Sequence, residues 1–348
     1  MSNNRASGDV TIIDVAREAG VSYATVSRVI NNKGYIKPET RERVLRAVTK
    51  LGYVVNQQAR SLARGHSQIV GLLVPGVDTG YIGEIIRGID DELASASYDL
   101  MLYTAHRRRT RESTYVSTLT QGLADGLLLV LPRAPGSYLE TLRRRGFPYV
   151  LIDHQGIDDT GPSVGATNRR GGYDATRHLI ELGHQRIGFI TGTLDLRCST
   201  DRLDGYRAAL AEHGLAADPA LIREGDFEQP SGYAGARQLL ALPQPPTAIF
   251  ASNDVSAFGV MEAARDCGLR IPEDISIVGF DDIPQASHVN PTLTTVRQPL
   301  EQMGRLATRM LLESIHDRAR PTERIELPTE LIVRGSCRAP SIANSHAT

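Results

Sequence analysis

Several side chains able to grip a small polar molecule stand directly after short apolar runs. Asp153 follows YVLI, Asn253 and Asp254 follow IFAS, Asp281 and Asp282 follow IVGF, and Asp226 with Phe227 follows LIREG. Carboxylates accept from paired hydroxyls, an amide both donates and accepts, and an aromatic ring stacks on the apolar face of a sugar. The set therefore suits a polyhydroxylated ligand. An aspartate after a strand also commonly caps the next helix, and that reading stands beside the first for Asp254 and Asp282.

A second set has different chemistry. Tyr23, Ala24, Ser27, Arg28 and Asn31 fall on one half of a helix at ~100° of rotation per residue, while Thr25, Val26, Val29 and Ile30 fall on the other. An arginine on such a polar half can pair bidentately with a guanine, worth ~1–3 kcal/mol of discrimination, and an alanine can meet a thymine methyl. Before this helix, Ile12, Val15, Ala16 and Ala19 form one stripe of a shorter helix, with Asp14, Arg17 and Glu18 facing away. Gly20 suits the sharp turn between the two, and Ser22 is placed to cap the second. A third helix runs from Pro38 with Val44, Leu45, Ala47, Val48 and Leu51 as its apolar set. On periodicity alone, two helices about a glycine turn, packed on a third, make either a helix-turn-helix unit or an ordinary three-helix unit whose polar face meets only water. In the former, the N-terminal half of the second helix is the part that meets base edges.

Charge separates this unit from the rest. Residues 1–66 carry 11 Lys or Arg against 5 Asp or Glu, a balance of +6, and the remaining residues carry −7. A basic head favours a phosphate backbone, and counterion release makes such binding fall with salt.

From Val54 to Ser67 the chain reads VVNQQARSLARGHS, with Asn56 as helix cap and Gly65 as stop. A helix of about two turns is marginal alone. Arg60 and Arg64 lie one turn apart for phosphates. Leu62 either wedges between base steps of a minor groove or tucks against the body.

Beyond Ile69, apolar runs alternate with amphipathic stretches, the pattern of parallel sheets covered on both faces. The strands read IVGLLV, DLMLYT, GLLLVL and YVLID, then RIGFIT, LIREGD, TAIFAS and ISIVGF, which suggests two similar α/β lobes with a break near Ser163–Arg170. The segment Leu300–Val333 offers one helix and two short strands, a return to both lobes. Ligands of open parallel sheets sit beyond the carboxyl ends of the strands, where the first set of residues lies.

Other classes are disfavoured. No G-x-x-x-x-G-K-[ST], G-x-G-x-x-G or G-x-S-x-G follows an expected strand, so an enzyme is not expected. The 3 cysteines and 9 histidines show no metal spacing, and no metal or cofactor is expected. No apolar run reaches the ~18–20 residues of a membrane span, and MSNNRASGDV has no hydrophobic signal region. A cytoplasmic protein without membrane attachment is expected, and a solute-binding role in transport is disfavoured.

VSYATVSRVIN, NQQARSLARG, ASNDVSAFG, VGFDD and ELIVRGS closely resemble the LacI/GalR family of bacterial transcriptional repressors, from about Thr11 to Cys337. The resemblance implies a small all-α helix-turn-helix head on an α/β two-lobe body like periplasmic binding proteins. Its expected divisions are a head at 1–55, a hinge helix at 56–67 and a body at 68–340, with 341–348 a disordered tail. One lobe takes about 68–166 and 297–327, the other about 167–296 and 328–340. It implies a homodimer on a pseudo-palindromic operator, with a small-molecule effector between the lobes. The DNA-facing set becomes Thr11, Ser22, Tyr23, Ala24, Thr25, Ser27, Arg28, Asn31, Asn56, Ala59, Arg60, Leu62 and Arg64, with Leu62 the minor-groove lever. The effector set becomes Tyr81, Asp153, Arg202, Phe227, Asn253 and Asp281. This set suits sugar hydroxyls, with a sugar acid or sugar phosphate open through Arg202. Release from the operator on effector binding is the leading expectation, and a corepressor such as a purine or sugar phosphate is the alternative. Lys37 departs from the small capping residue common before Pro38. The tail after Cys337 lacks heptad leucines, favouring a dimer over a coiled-coil tetramer.

Overall fold

The computed structural model describes residues 10–31, 34–53, 66–77, 79–105, 111–132, 136–154, 161–317 and 323–340. The chain forms two compact units, Met1–Ser67 and Gln68–Thr348.

In the first unit, α1 (Ile12–Ala19), α2 (Tyr23–Ile30) and α3 (Pro38–Leu51) enclose a core of Val15, Ala16, Ala19, Val26, Val29, Val44 and Ala47. Caps define where the helices begin. Thr11 and Asp14 form a reciprocal capping box, the Thr11 N–H donating to Asp14 Oδ2 at 3.0 Å and the Asp14 N–H to Thr11 Oγ1 at 3.4 Å. Gly20 closes α1 at φ 60°, a left-handed conformation costly for residues with a β-carbon, and Ser22 Oγ then accepts from the Thr25 N–H at 3.2 Å. Lys37 makes no side-chain cap for α3, as its type implies. Leu45 departs from expectation. It points outward, 49% exposed, because the three short helices close their core around Val44 and Ala47.

Among the described residues the second unit holds two six-stranded sheets. The first runs in the order β11-β5-β4-β3-β1-β2, from β1 (Ile69–Val74), β2 (Asp99–Thr104), β3 (Gly126–Val130), β4 (Tyr149–Ile152), β5 (Ser163–Ala166) and β11 (Arg324–Leu327). The second runs β12-β10-β9-β8-β6-β7, from β6 (Ile187–Ile190), β7 (Ile222–Arg223), β8 (Ala248–Ala251), β9 (Ser276–Asp281), β10 (Thr294–Arg297) and β12 (Glu330–Ile332). Among the described residues every pairing is parallel except that of β10 with β12.

Alternate residues of each strand pack on opposite layers. Val70, Leu72 and Val74 of β1 meet α4 (Gly80–Ala96) and α11 (Leu300–His316), and Leu73 meets α5 (Glu112–Leu119) and α6 (Gly136–Arg145). In the second sheet Ile249 and Ile277 meet α9 (Gln229–Leu240) and α10 (Asp254–Asp266). Phe250, Val278 and Phe280 meet α7 (Asn168–Glu181) and α8 (Arg197–Glu212). Among the described residues the chain passes between sheets three times, from β5 into α7, from β10 into α11 and from β11 to β12. Two of the strands beside these crossings, SVGA and TTVR, are too short to announce themselves in the sequence. Among the described residues no helix is long and apolar enough to cross a membrane.

Candidate functional site

The polar strand ends converge in the body. Asp153 ends β4 and accepts a hydrogen bond on Oδ2 from the Tyr81 hydroxyl, at the start of α4, at 2.9 Å. Its Oδ1 accepts from Asn168 Nδ2, at the first crossing, at 3.2 Å. Asn168 Oδ1 in turn accepts from Arg202 Nε on α8 at 2.9 Å, and Arg202 Nη1 donates to the Ser252 carbonyl at 2.6 Å. The same guanidinium lies 3.6 Å from Asp281 Oδ1, which accepts from Gln298 Nε2, at the second crossing, at 2.8 Å. One continuous polar network thus joins strand ends of both sheets through two crossings. Tyr81, Asp153, Asn168, Arg202, Asp281 and Gln298 are all buried.

The backbone carries the mark of this convergence. Leu131, Asp153, Phe227, Asp281 and Asp282 all have positive φ, from 44° to 112°. Such conformations cost about 1–3 kcal/mol each in a non-glycine residue and collect at ligand-holding sites. Two of these residues, Asp153 and Asp281, direct their carboxylates into the network around Asn168 and Arg202. Phe227 is half-exposed, and the tip of its ring abuts Gly192, where an added Cβ would stand 2.0 Å from Cζ. The Arg202 guanidinium stacks 3.8 Å from the Phe280 ring centroid and 5.7 Å from that of Phe227.

Burial and charge oppose each other here. Burial raises the Asp281 carboxyl to about 7 against the pull of Arg202, and raises Asp153 in the same way. Burial also works against the Arg202 charge, but Asp281 and Asp153 outweigh it and keep the guanidinium firmly protonated. Cys198, one turn before Arg202, is pushed up to about 12 by burial and stays a neutral thiol. Ser252 Oγ and Gln298 Oε1 are buried without a hydrogen-bond partner among the described residues, so the network has unused capacity.

The capping reading of Asp254 and Asp282 is corrected. The cap of α10 is Asn253, whose Oδ1 accepts from the Ser256 N–H at 2.9 Å while its Nδ2 donates to the Phe227 carbonyl at 3.0 Å. Asn253 thereby ties the Phe227 segment to α10. Asp254, one residue further, points across to the second sheet, accepting from the Ile283 N–H at 2.9 Å and from the Thr295 hydroxyl. Asp282 pairs with Arg297 at 2.8 Å and Arg334 at 2.6 Å. Sequence reasoning missed Asn168, Gln298 and Phe280. Phe280 stood within the VGFDD motif, but nothing marked the two crossing side chains.

In the head, Tyr23, Ala24 and Arg28 are exposed on one side of α2, Tyr23 at 54%, opposite buried Val26 and Val29. Ser22 and Thr25 are joined through their hydroxyls at 2.9 Å, and Thr11 is engaged with Asp14. Asn31 turns its amide back onto the Ser27 carbonyl at 2.8 Å. Asn56, Ala59, Arg60, Leu62 and Arg64 lie outside the described residues. Among the described residues no group of three or more His, Cys, Asp or Glu could hold a metal ion.

A helix-turn-helix head joined to a two-lobed body with a buried polar network between its sheets defines a ligand-responsive DNA-binding regulator. Residues 11–56 match the family of bacterial regulatory proteins of the lacI type, and residues 176–337 match a periplasmic binding protein-like domain. The HTH-type transcriptional repressor PurR of Erwinia tasmaniensis is 38% identical over 328 residues, 94% of this chain and 96% of that one. Its Escherichia coli counterpart is 37% identical with the same coverage. Among solved structures, the lac repressor dimer bound to operator and the anti-inducer ONPF superposes with a TM-score of 0.83 at 29% identity, covering 95% of this chain and all of that one. The transcriptional regulator CelR in complex with cellobiose gives 0.73 at 34%, covering 94% and 99%. A LacI family regulator from Enterococcus faecium with bound ribose gives 0.72 at 28%, covering 78% and 100%. The chain belongs to the LacI family of bacterial transcriptional regulators, and it is a DNA-binding repressor with an effector-binding body.

Proposed function

We propose that this repressor binds a pseudo-palindromic operator as a homodimer and leaves it when a small sugar-like effector enters between the lobes. The observation that carries the reading is the buried network Tyr81–Asp153–Asn168–Arg202–Asp281, which spans both sheets and mixes carboxylates, an amide and a guanidinium. Such a set recognises paired hydroxyls, and the half-exposed Phe227 ring supplies an apolar platform. Cellobiose and ribose complexes among the structural neighbours support a carbohydrate class. The lac repressor dimer on its operator supports the assembly.

In this reading Tyr81, Asp153, Arg202, Phe227, Asn253 and Asp281 line the effector site, with Asn253 acting through Phe227. Tyr23, Ala24, Ser27 and Arg28 read bases in the major groove, and Thr11, Ser22, Thr25 and Asn31 lie at the DNA face. Asn56, Ala59, Arg60, Leu62 and Arg64 form the hinge contact, Leu62 at the minor groove. The protein binds its ligand without turning it over and works in the cytoplasm. The lobes divide near residues 166, 297 and 327, where the crossings fall. The effector couples to DNA by binding one lobe arrangement more tightly than the other. A 100-fold preference supplies about 2.7 kcal/mol.

The planar Phe227 face also suits a ring ligand such as a purine, which would act as a corepressor. A thermal-shift screen of sugars, sugar acids and nucleobases against the protein and Arg202→Ala, followed by operator binding with each hit, separates the readings. We expect a sugar hit that is lost in Arg202→Ala and that weakens operator binding. A hit unchanged in the variant would move the site elsewhere, and one that strengthens operator binding would make the protein a corepressor-dependent regulator.

A further inference from the structure

Asn168 faces two neighbourhoods. Its side chain bonds to Arg202 and Asp153, and it also lines a separate cleft of about 680 Å³ over the crossing of α7 and α8. That volume lies within the ~300–1,000 Å³ typical of small-molecule sites. The walls come from both lobes: Asn168, Arg169, Tyr173, Arg197 and Asp201 from α7 and α8, Glu326 from β11 of the first sheet.

Most of its charges are already satisfied. Arg197 pairs with Asp201 at 2.7 Å, Arg170 with Asp174 at 2.8 Å, and Glu212 takes the Tyr173 hydroxyl. Glu212 makes no ion pair within 4 Å among the described residues, but it holds the Tyr173 hydroxyl and acts on Arg170 through space. Arg169 and Glu326 are exposed, and neither makes an ion pair within 4 Å or a side-chain hydrogen bond among the described residues, although Arg169 acts on Asp201 through space. They carry opposite signs, and they stand on elements of opposite lobes. A purely anionic ligand would set uncompensated charge beside Glu326, and a purely cationic one beside Arg169. A dipolar ligand satisfies both.

We propose that this cleft is a second ligand site, for a small metabolite carrying an anionic group at one end and a protonated amine at the other. Arg169 takes the anion and Glu326 the amine. Because these two residues belong to different lobes, an occupied cleft favours one lobe arrangement. The shared wall residue Asn168 carries that preference to Arg202 and Asp153. By linkage, a ligand at either site changes affinity at the other by the same factor.

The test uses calorimetric titration of the full-length protein with ω-amino acids from 3-aminopropanoate to 7-aminoheptanoate, with the corresponding carboxylates and alkylamines as single-charge controls. We expect at least one ω-amino acid to bind and the controls not to. Its affinity should fall about tenfold in Arg169→Ala and in Glu326→Gln, two exposed positions whose replacement leaves the core intact. It should survive in Arg202→Ala. No binding by any member, binding unchanged in both cleft variants, or binding lost only in Arg202→Ala would overturn the proposal.

Discussion

Gly172 faces the main chain of Arg202 so closely that a Cβ at position 172 would stand 2.4 Å from the Arg202 carbonyl oxygen. The contact is reciprocal, since a Cβ at Gly205 would stand 2.2 Å from the Arg169 carbonyl oxygen. The helices α7 and α8 therefore touch backbone to backbone, and this contact fixes the height from which Arg202 reaches Asn168, Ser252 and Asp281. Gly172→Ala should separate the helices, costing about 1–3 kcal/mol as overpacking does, and should displace the guanidinium. Gly304→Ala is the control. It disturbs the equivalent crossing of α4 and α11, where the added Cβ would meet the Ile85 carbonyl oxygen at 2.2 Å. Thermal unfolding should fall for both variants, whereas effector affinity should fall markedly only for Gly172→Ala. Equal losses of affinity would deny the α7–α8 contact any special part in placing Arg202.

The Asp281 carboxyl, raised to about 7 by burial, makes both stability and ligand binding depend on pH. Its folded-state value lies above the ordinary carboxylate range near ~3.9, so the folded protein holds this proton more tightly than the unfolded chain. The group's stabilising effect is complete below the ordinary value and is lost as pH rises through about 7. Asp153 and Asp254, also raised by burial, act in the same direction, so the unfolding temperature should decline between roughly pH 4 and pH 8, and Asp281→Asn should reduce that slope. Hydroxyl donors prefer the ionised carboxylate, so sugar affinity should rise over the same interval. A slope identical in Asp281→Asn would assign the titration to another group.

The parts of this architecture visible in sequence were those with strong periodicity. Runs such as IVGLLV and GLLLVL announce strands buried on both faces, and the stripes of α1 and α2 announce the head. Strand ends also pointed to Asp153 and Asp281, because parallel sheets collect ligands there. Asn168 and Gln298 were invisible for a different reason. Each is a lone amide at a crossing, and its role exists only once the crossings bring β4, β9 and α8 together. The neighbouring Asn253 and Asp254 show the limit from the other side. Both types cap helices, and only the φ and ψ of the turn decide that Asn253 caps α10 while Asp254 reaches Ile283 and Thr295.

The helix starts of the head differ in a way that predicts opposite responses to mutation. Ser22 caps α2, whereas Lys37 gives α3 no side-chain partner. Ser22→Ala should cost about 0.5–2 kcal/mol of local stability and fray the first turn of the DNA-facing helix. Lys37→Ser should gain a cap at α3. Hydrogen exchange in the full-length protein would read both: faster exchange at the amide of Thr25 in the first variant, slower exchange at those of Glu39 and Thr40 in the second. Unaltered exchange at Thr25 in Ser22→Ala would show that the hydroxyl contributes nothing to holding α2.

Arg28 gives the sharpest test of how the head reads DNA. It is exposed on the same side of α2 as Tyr23 and Ala24 and makes no ion pair among the described residues, so its guanidinium is available to an outside partner. A bidentate pair with guanine and a contact with phosphate predict different behaviour. Arg28→Lys keeps the charge but loses the planar fork. If Arg28 reads a base, this variant should lose ~1–3 kcal/mol on a selected operator, with little change on random duplex. If Arg28 only neutralises phosphate, Arg28→Lys should be nearly silent, and Arg28→Ala should weaken both duplexes alike while lowering the salt dependence by about one unit of slope. Binding measured on both duplexes at two salt concentrations decides the matter. A ratio of specific to random affinity that is unchanged in Arg28→Lys would remove Arg28 from the base-reading set and leave specificity to Tyr23, Ala24 and Ser27.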